Sequence, residues 1–267
     1  MKSKITMIEA QKRKGRFNVY VDGKYAFPMS ENVMIKYRVF KGMEIDAELK
    51  NKLVNADEVS KLYSRAIDFL SHQLRTESEV VDKLKKYTEN EQHIAQVMQR
   101  LTELKLVNDQ NYANSYVRTE VRKQDKGPNN VFYKLKEKKI PEAYIENAIQ
   151  NFYSDEDMRE NCTIQIEKTF KKHRRDAFKN RLEKTKIAVM KKGYPMDVVL
   201  SIMDNMEFTV DEEQQMELLR KQFEKVWYRN RRYDHLQRVM KTKQSLYRKG
   251  FEMDDINRFI EEKESEQ

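Results

Sequence analysis

The residues of this chain with chemistry to offer are its cations. Between Lys168 and Lys192 stand eleven Lys or Arg and two acidic residues, Asp176 and Glu183; between Arg229 and Lys249 eight stand against Asp234 alone. A shorter run, Lys134, Lys136, Lys138 and Lys139, precedes Pro141. Cations gathered in this way neutralise phosphates and release their counterions, the electrostatic footprint of a nucleic-acid binder. Aromatic residues lie among them, as stacking on unpaired bases requires: Phe170, Phe178, Trp227, Tyr228 and Tyr233. Phe170 and Trp227 extend helical stripes begun by Ile166 and Phe223, which assigns them to the core and leaves Tyr228 and Tyr233 as the exposed candidates.

A plainer account competes for part of this charge. Lys191, Lys192, Arg248 and Lys249 fall at helix C-termini, where a cation offsets the macrodipole by about 0.3–1 kcal/mol. That account does not reach Lys171, Lys172, Arg174, Arg175 and Arg181, which surround a helix junction.

Catalytic patterns are absent. There is no glycine-rich phosphate loop, no HExxH and no pair of cysteines, and His72, His93, His173 and His235 sit singly on different predicted helices. No enzyme activity, catalytic residue, metal or cofactor is expected. The single Cys162 excludes an internal disulfide framework and suits a reducing compartment. The first residues lack the apolar run of a signal peptide, and no segment approaches membrane-spanning length. A cytoplasmic protein without membrane contact is expected.

The elements that must position the cations are written several times over. Lys191-Lys192-Gly193-Tyr194-Pro195 has the build of Lys249-Gly250-Phe251, fifty-seven positions later, and of Lys138-Lys139-Ile140-Pro141, fifty-four earlier. Each time a basic helix ends, an apolar residue follows and a short acidic helix begins. Ile94, Val97, Met98 and Leu101 form an i, i+3, i+4, i+7 stripe. Ile145, Ala148, Ile149 and Phe152 repeat it, as do Val199, Ile202, Met203 and Met206; Ile256, Phe259 and Ile260 fill its first three places. Leu84, Leu135, Val189 and Leu246 keep step in the preceding helix. Self-similarity at a fixed period marks an array of helical units.

Four three-helix units are therefore expected, at 57–106, 107–153, 154–209 and 210–267. The fold class is mainly α: an elongated tandem of three-helix repeats, its superhelical hand undecided. Charged residues make up 36% of the chain and its net charge is +9; a one-layer stack of helices accommodates such polarity, since each unit touches only its neighbours. If the second helices line up along one side, a basic stripe results, with an acidic side opposite. Residues 1–56 read differently. Ile5, Met7, Phe17, Val19 and Val21 alternate with polar residues around the turn signals Lys14-Gly15 and Asp22-Gly23. A two- or three-stranded hairpin sheet is expected, packed on a helix from Ser30 to about Val39.

Arg65-Ala66-Ile67-Asp68-Phe69-Leu70, followed by Arg75-Thr76-Glu77-Ser78-Glu79-Val80, resembles the opening unit of the RecX regulatory proteins. Asp109 to Arg118, then Gly127-Pro128 and Leu135, resembles their second unit, and the hairpin is similar to that of the longer members. Lys139 departs from the pattern, standing where the family usually has Gly. The resemblance implies a protein that binds the RecA recombinase filament on single-stranded DNA. It would restrain filament growth, ATP hydrolysis, strand exchange and cleavage of the LexA repressor. Single-stranded DNA, with double-stranded DNA still open, is the implied nucleic-acid partner, and a monomer is expected.

The candidate partner- or DNA-binding residues are Arg118, Arg122, Lys126, Lys171, Lys172, Arg174, Arg175, Arg181, Tyr228, Arg231 and Arg232. The alternative function is a stand-alone helical-repeat protein that binds single-stranded nucleic acid. A structural adaptor is the third reading.

Overall fold

The computed structural model describes residues 3–265. The chain opens with β1 (Ser3–Ala10), β2 (Arg16–Val21) and β3 (Lys24–Ser30), joined as antiparallel neighbours, with Val19 facing Ile8 on one side and Phe27 on the other. Asp22 and Gly23 connect β2 to β3 with φ of 49° and 79°. Two positive φ values in a two-residue loop match the twist of the flanking strands. A short β4 (Glu44–Ile45) pairs with β1, giving the order β3-β2-β1-β4. The sheet thus has one strand more than its sequence suggests, since two residues carry no readable alternation. Helix α1 (Glu31–Lys36) also stops sooner than Val39, because Arg38 turns to φ 49°. Ile5, Val19, Phe27 and Met29 bury one face of the sheet against Val33, Val39, Ile45 and Leu53.

Leu53 belongs to α2 (Ala47–Ser71), the helix that joins the sheet to the repeats. Asp46 caps it by accepting the Leu49 N–H at 2.8 Å, so it begins ten residues before the expected start at 57. Its first half covers the sheet through Leu53. Its second half packs Leu62 and Ala66 on α3 (Glu77–Lys85) and α4 (Glu91–Glu103). A buried clamp fixes the junction: Asp57 takes both Arg16 guanidinium nitrogens at 2.7 and 3.0 Å and the Ser30 N–H at 2.7 Å. Thr76 and Glu79 close the capping box of α3 in both directions, as the Thr-Glu-Ser-Glu sequence requires.

Tandem three-helix domains follow. The second comprises α5 (Asp109–Lys123), α6 (Pro128–Glu137) and α7 (Glu142–Phe152). The third is α8 (Asp155–Lys172), α9 (Phe178–Lys191) and α10 (Met196–Asn205). The fourth is α11 (Glu212–Arg229), α12 (His235–Tyr247) and α13 (Met253–Ser265). Leu84, Leu135, Val189 and Leu246 are all fully buried, as are Val97, Ile145, Val199 and Ile256 in the helices that follow. The apolar register read from the sequence is the register of the cores.

Two compact units divide the chain: Met1–Ala113 with Lys138–Tyr144, and Asn114–Glu137 with Ile145–Gln267. Within the first, Asp109 accepts the Glu77 N–H at 2.8 Å, while Lys138 reaches Glu79 at 2.6 Å and Lys139 reaches Asp82 at 3.5 Å. Within the second, neighbouring repeats meet backbone to backbone. Gly127 N–H donates to the Lys192 carbonyl at 2.8 Å and Asn129 N–H to that of Gly193 at 3.1 Å. Asn130 Nδ2 donates to the Lys191 carbonyl at 2.9 Å, and Asn180, one repeat on, donates to that of Arg248 at 3.3 Å. A Cβ on Gly193 would lie 2.4 Å from Asn130 N, and one on Gly250 2.8 Å from the Asn180 side chain.

Candidate nucleic-acid interface

The largest group of candidate residues sits where α8 turns into α9. Ser154 caps α8 by accepting the Asp157 N–H at 3.0 Å, and Lys171 and Lys172 fall in its last turn, so the dipole account reaches these two, against expectation, and leaves Arg174 and Arg175 outside it. After Lys172 the chain tightens: His173 N–H bonds Thr169 O, and Asp176 N–H bonds His173 O. The buried Ala177 then anchors the start of α9. This turn presents Lys171, Lys172, Arg174 and Arg175 outward. All four are exposed and, among the described residues, make no side-chain hydrogen bond or ion pair.

Arg181 is placed otherwise. Its Nε donates to the Phe170 carbonyl at 2.8 Å and its guanidinium lies 3.4 Å from the Phe170 ring centre. Burial pulls its pKa down without discharging it. Fifty-seven positions on, Arg238 repeats the device, with Nε to the Trp227 carbonyl at 3.1 Å and the guanidinium 3.9 Å over that ring. Arg181 is thus a strut between the first and second helices of its repeat. Lys126 is similarly taken up, by Glu120 at 3.0 Å and the Tyr116 hydroxyl at 3.2 Å. Arg118 stacks 4.0 Å over Phe152 with its side chain exposed, and Arg122 is exposed without a partner among the described residues. Charge runs alone do not separate a strut from an open cation.

The fourth repeat gathers a second basic surface, larger than its three sequence candidates suggest. Asn230 ends α11, buried, with its Nδ2 on Thr242 Oγ1 at 3.1 Å. Beside it lies an open cleft of about 490 Å³, to which Arg229, Arg232, Lys241, Arg248 and Lys249 contribute and, among the described residues, no carboxylate does. Arg232 donates to the Tyr233 hydroxyl at 3.1 Å and Lys241 sits 4.6 Å over its ring, so these cations hold the phenol below its ordinary pKa. Tyr233 is half-buried, against expectation, whereas Tyr228 is 64% exposed with Arg231 stacked at 3.8 Å. In the third repeat Asp176 stands in Tyr233's place. Despite partial burial, its bonds to Lys184 and His173 keep it ionised below the usual carboxylate range. Where the fourth repeat places the phenol of Tyr233, the third thus places a carboxylate. Arg229, Lys241, Arg248 and Lys249 all belong to the charge run from Arg229 to Lys249, but the run does not show their convergence, which comes only when α11 and α12 pack. The signal available is the i, i+7 spacing of Lys241, on α12, and Arg248, at its C-cap.

The C-terminal lysines assigned to dipole matching also have specific partners. Lys192 pairs with Asp125 at 2.5 Å and Lys249 donates to Gln222 at 2.5 Å. Of the histidines, His93 is buried, its Nδ1 3.6 Å from Glu58. Among the described residues no group of three or more His, Cys, Asp or Glu gathers that could hold a metal. No helix there is long and apolar enough to cross a membrane.

Comparison with known proteins agrees with this architecture. The regulatory protein RecX N-terminal domain matches residues 3–46, and the first and second RecX three-helix domains match 63–101 and 108–149. The third RecX three-helix domain matches 212–260, the fourth unit in this chain's order. The chain is 44% identical to Regulatory protein RecX of Levilactobacillus brevis over 256 residues, 96% of each chain. It is 37% identical to that of Bacillus subtilis, over 97% of this chain and 98% of the relative. A crystal structure of regulatory protein RecX, 39% identical, superposes with a TM-score of 0.68 over 76% of this chain and 99% of the other. A second, RecX from Lactobacillus salivarius, is 36% identical with a TM-score of 0.53 over 56% and 97%. With its sheet, its tandem three-helix domains and almost its whole length matched, the chain belongs to the RecX family of regulatory proteins.

Proposed function

We propose that this protein negatively modulates the RecA recombinase by binding the RecA–single-stranded DNA filament and restraining its growth, ATP hydrolysis, strand exchange and stimulation of LexA cleavage. Family membership over nearly the full length carries the reading. The open cations Lys171, Lys172, Arg174 and Arg175 and the fourth-repeat cleft are the surfaces assigned to filament phosphates and acidic protein groups. Arg181 serves these surfaces by bracing α9 on α8, and Lys126 by tying the turn after α5 back onto that helix. In a titration of RecA's DNA-dependent ATPase, substoichiometric protein slows hydrolysis; full activity at equimolar protein sinks the proposal.

The second reading, a stand-alone binder of single-stranded nucleic acid, draws on the fourth repeat, where the cleft gathers phosphate-seeking cations and Tyr228 exposes its ring beneath Arg231. It requires tight, steeply salt-dependent binding to naked oligonucleotide with no effect on RecA.

A further inference from the structure

A groove between the β1–β2 turn and α2 belongs to neither basic surface above. The turn contributes Arg13 and Lys14 to one wall; α2 contributes Lys61 and Arg65 to the other, one helical turn apart on the same face. The space between them is about 790 Å³ and open to solvent.

Its charge follows from the clamp that holds two of its lining cations, Arg16 and Lys61. Asp57 is 2% exposed and already saturated, holding Arg16, the Ser30 N–H and, at 3.0 Å, the Lys61 ammonium. One carboxylate thus answers two cations. Arg13 and Lys14 are exposed and, among the described residues, have no side-chain partner. The Arg65 guanidinium lies 3.7 Å from the centre of the Tyr87 ring, which orders its planar fork before any ligand arrives. Counting Asp57, Asp68 in the lining and Glu31 beside Gly15, five cations stand against three carboxylates.

We propose that this groove is a nucleic-acid contact of the N-terminal unit, seated on the phosphodiester backbone and indifferent to base sequence. Among the described residues no apolar side chain lines it, so it lacks the buried anchors from which a peptide partner draws most of its affinity. Nor does any aromatic ring among those residues, which leaves phosphate contact, with no base stacking, as the mode of binding. Cations on two facing walls suit a chain of phosphates running between them. The site does not rest on the filament reading: it requires only a polyphosphate backbone.

The test is fluorescence-anisotropy binding of the full-length chain to a labelled oligothymidylate and to a random duplex, across a salt series. Arg13→Glu with Lys14→Glu is introduced into the natural chain and into one carrying Lys171→Glu, Lys172→Glu, Arg174→Glu and Arg175→Glu. Each pair should bind about tenfold more weakly at low salt. The slope of log affinity against log salt should fall by about 1.4–1.8, as two lost phosphate contacts require. Arg13→Gln with Lys14→Gln should give a smaller loss of the same sign. Unchanged affinity and slope in both backgrounds, with melting temperature preserved, would overturn the proposal. So would displacement of the variant-sensitive component by millimolar inorganic phosphate at matched ionic strength, or its appearance only with poly-glutamate. ATPase inhibition is not the readout, so the groove and the filament proposal fail separately.

Discussion

Lys139 stands where Gly193 and Gly250 stand in the following repeats, and it takes the same kind of turn, with φ of 61° beside their 91° and 86°. An L-residue in the left-handed region pays for a Cβ–carbonyl clash that glycine lacks. The ion pair Lys139 gains with Asp82 spans 3.5 Å with both side chains more than half exposed, and such pairs are worth little. Lys139→Gly should therefore raise stability, by about 0.5–1 kcal/mol, read as a higher urea midpoint at unchanged slope. An unchanged or lower midpoint would mean that the ion pair matters more than its exposure allows. Cys162 gives a second prediction at this scale. It is fully buried, and burial pushes its thiol up to about 11. The thiolate is the reactive form, so the folded protein should resist alkylation at pH 8 and react promptly in denaturant. Fast labelling of the native chain would contradict that burial.

At the scale of elements, the seams of the second unit rest on close backbone approach, with the Lys192–Asp125 ion pair beside the first of them. Gly193→Ala puts a Cβ 2.4 Å from Asn130 N at a φ of 91°, so either the bond from Asn130 Nδ2 to Lys191 O or the turn itself must give. A loss of more than about 2 kcal/mol is expected, measured by denaturant unfolding, and a loss below 1 would show the seam to be soft. These seams were only half legible in the sequence. Gly127-Pro128 reads as a helix break, which it is. That Gly127 also lies against the backbone of Gly193 is a tertiary fact no local pattern carries. The apolar stripes were legible because burial repeats with helical period. The start of α2 was not: Asp46 caps a segment whose polar Lys50, Asn51 and Lys52 give no stripe until the sheet packs on Leu53.

At the scale of the molecule, the net charge of +9 is spent unevenly. Legibility fails here in a specific way, because sequence counts charges while only packing shows which are already paired. Arg181 and Lys126 are engaged inside the fold; Lys171, Lys172, Arg174 and Arg175 are not. The two groups should therefore respond differently to substitution. Arg181→Ala removes a bond to Phe170 O and a ring contact, so it should cost about 1–2 kcal/mol of stability and leave the salt dependence of DNA binding alone. Reversing the four open cations to Glu should leave the melting temperature within a few degrees, since among the described residues no side-chain bond holds them and only Lys171 and Lys172 offset a helix dipole, by about 0.3–1 kcal/mol each. It should lower the salt slope on single-stranded DNA by up to about 2.8, at roughly 0.7 per phosphate contact. If ATPase inhibition falls in parallel with that slope, the α8–α9 turn meets the filament through its phosphates. If inhibition survives while the slope collapses, this turn serves DNA alone, and the contact with RecA belongs to another surface.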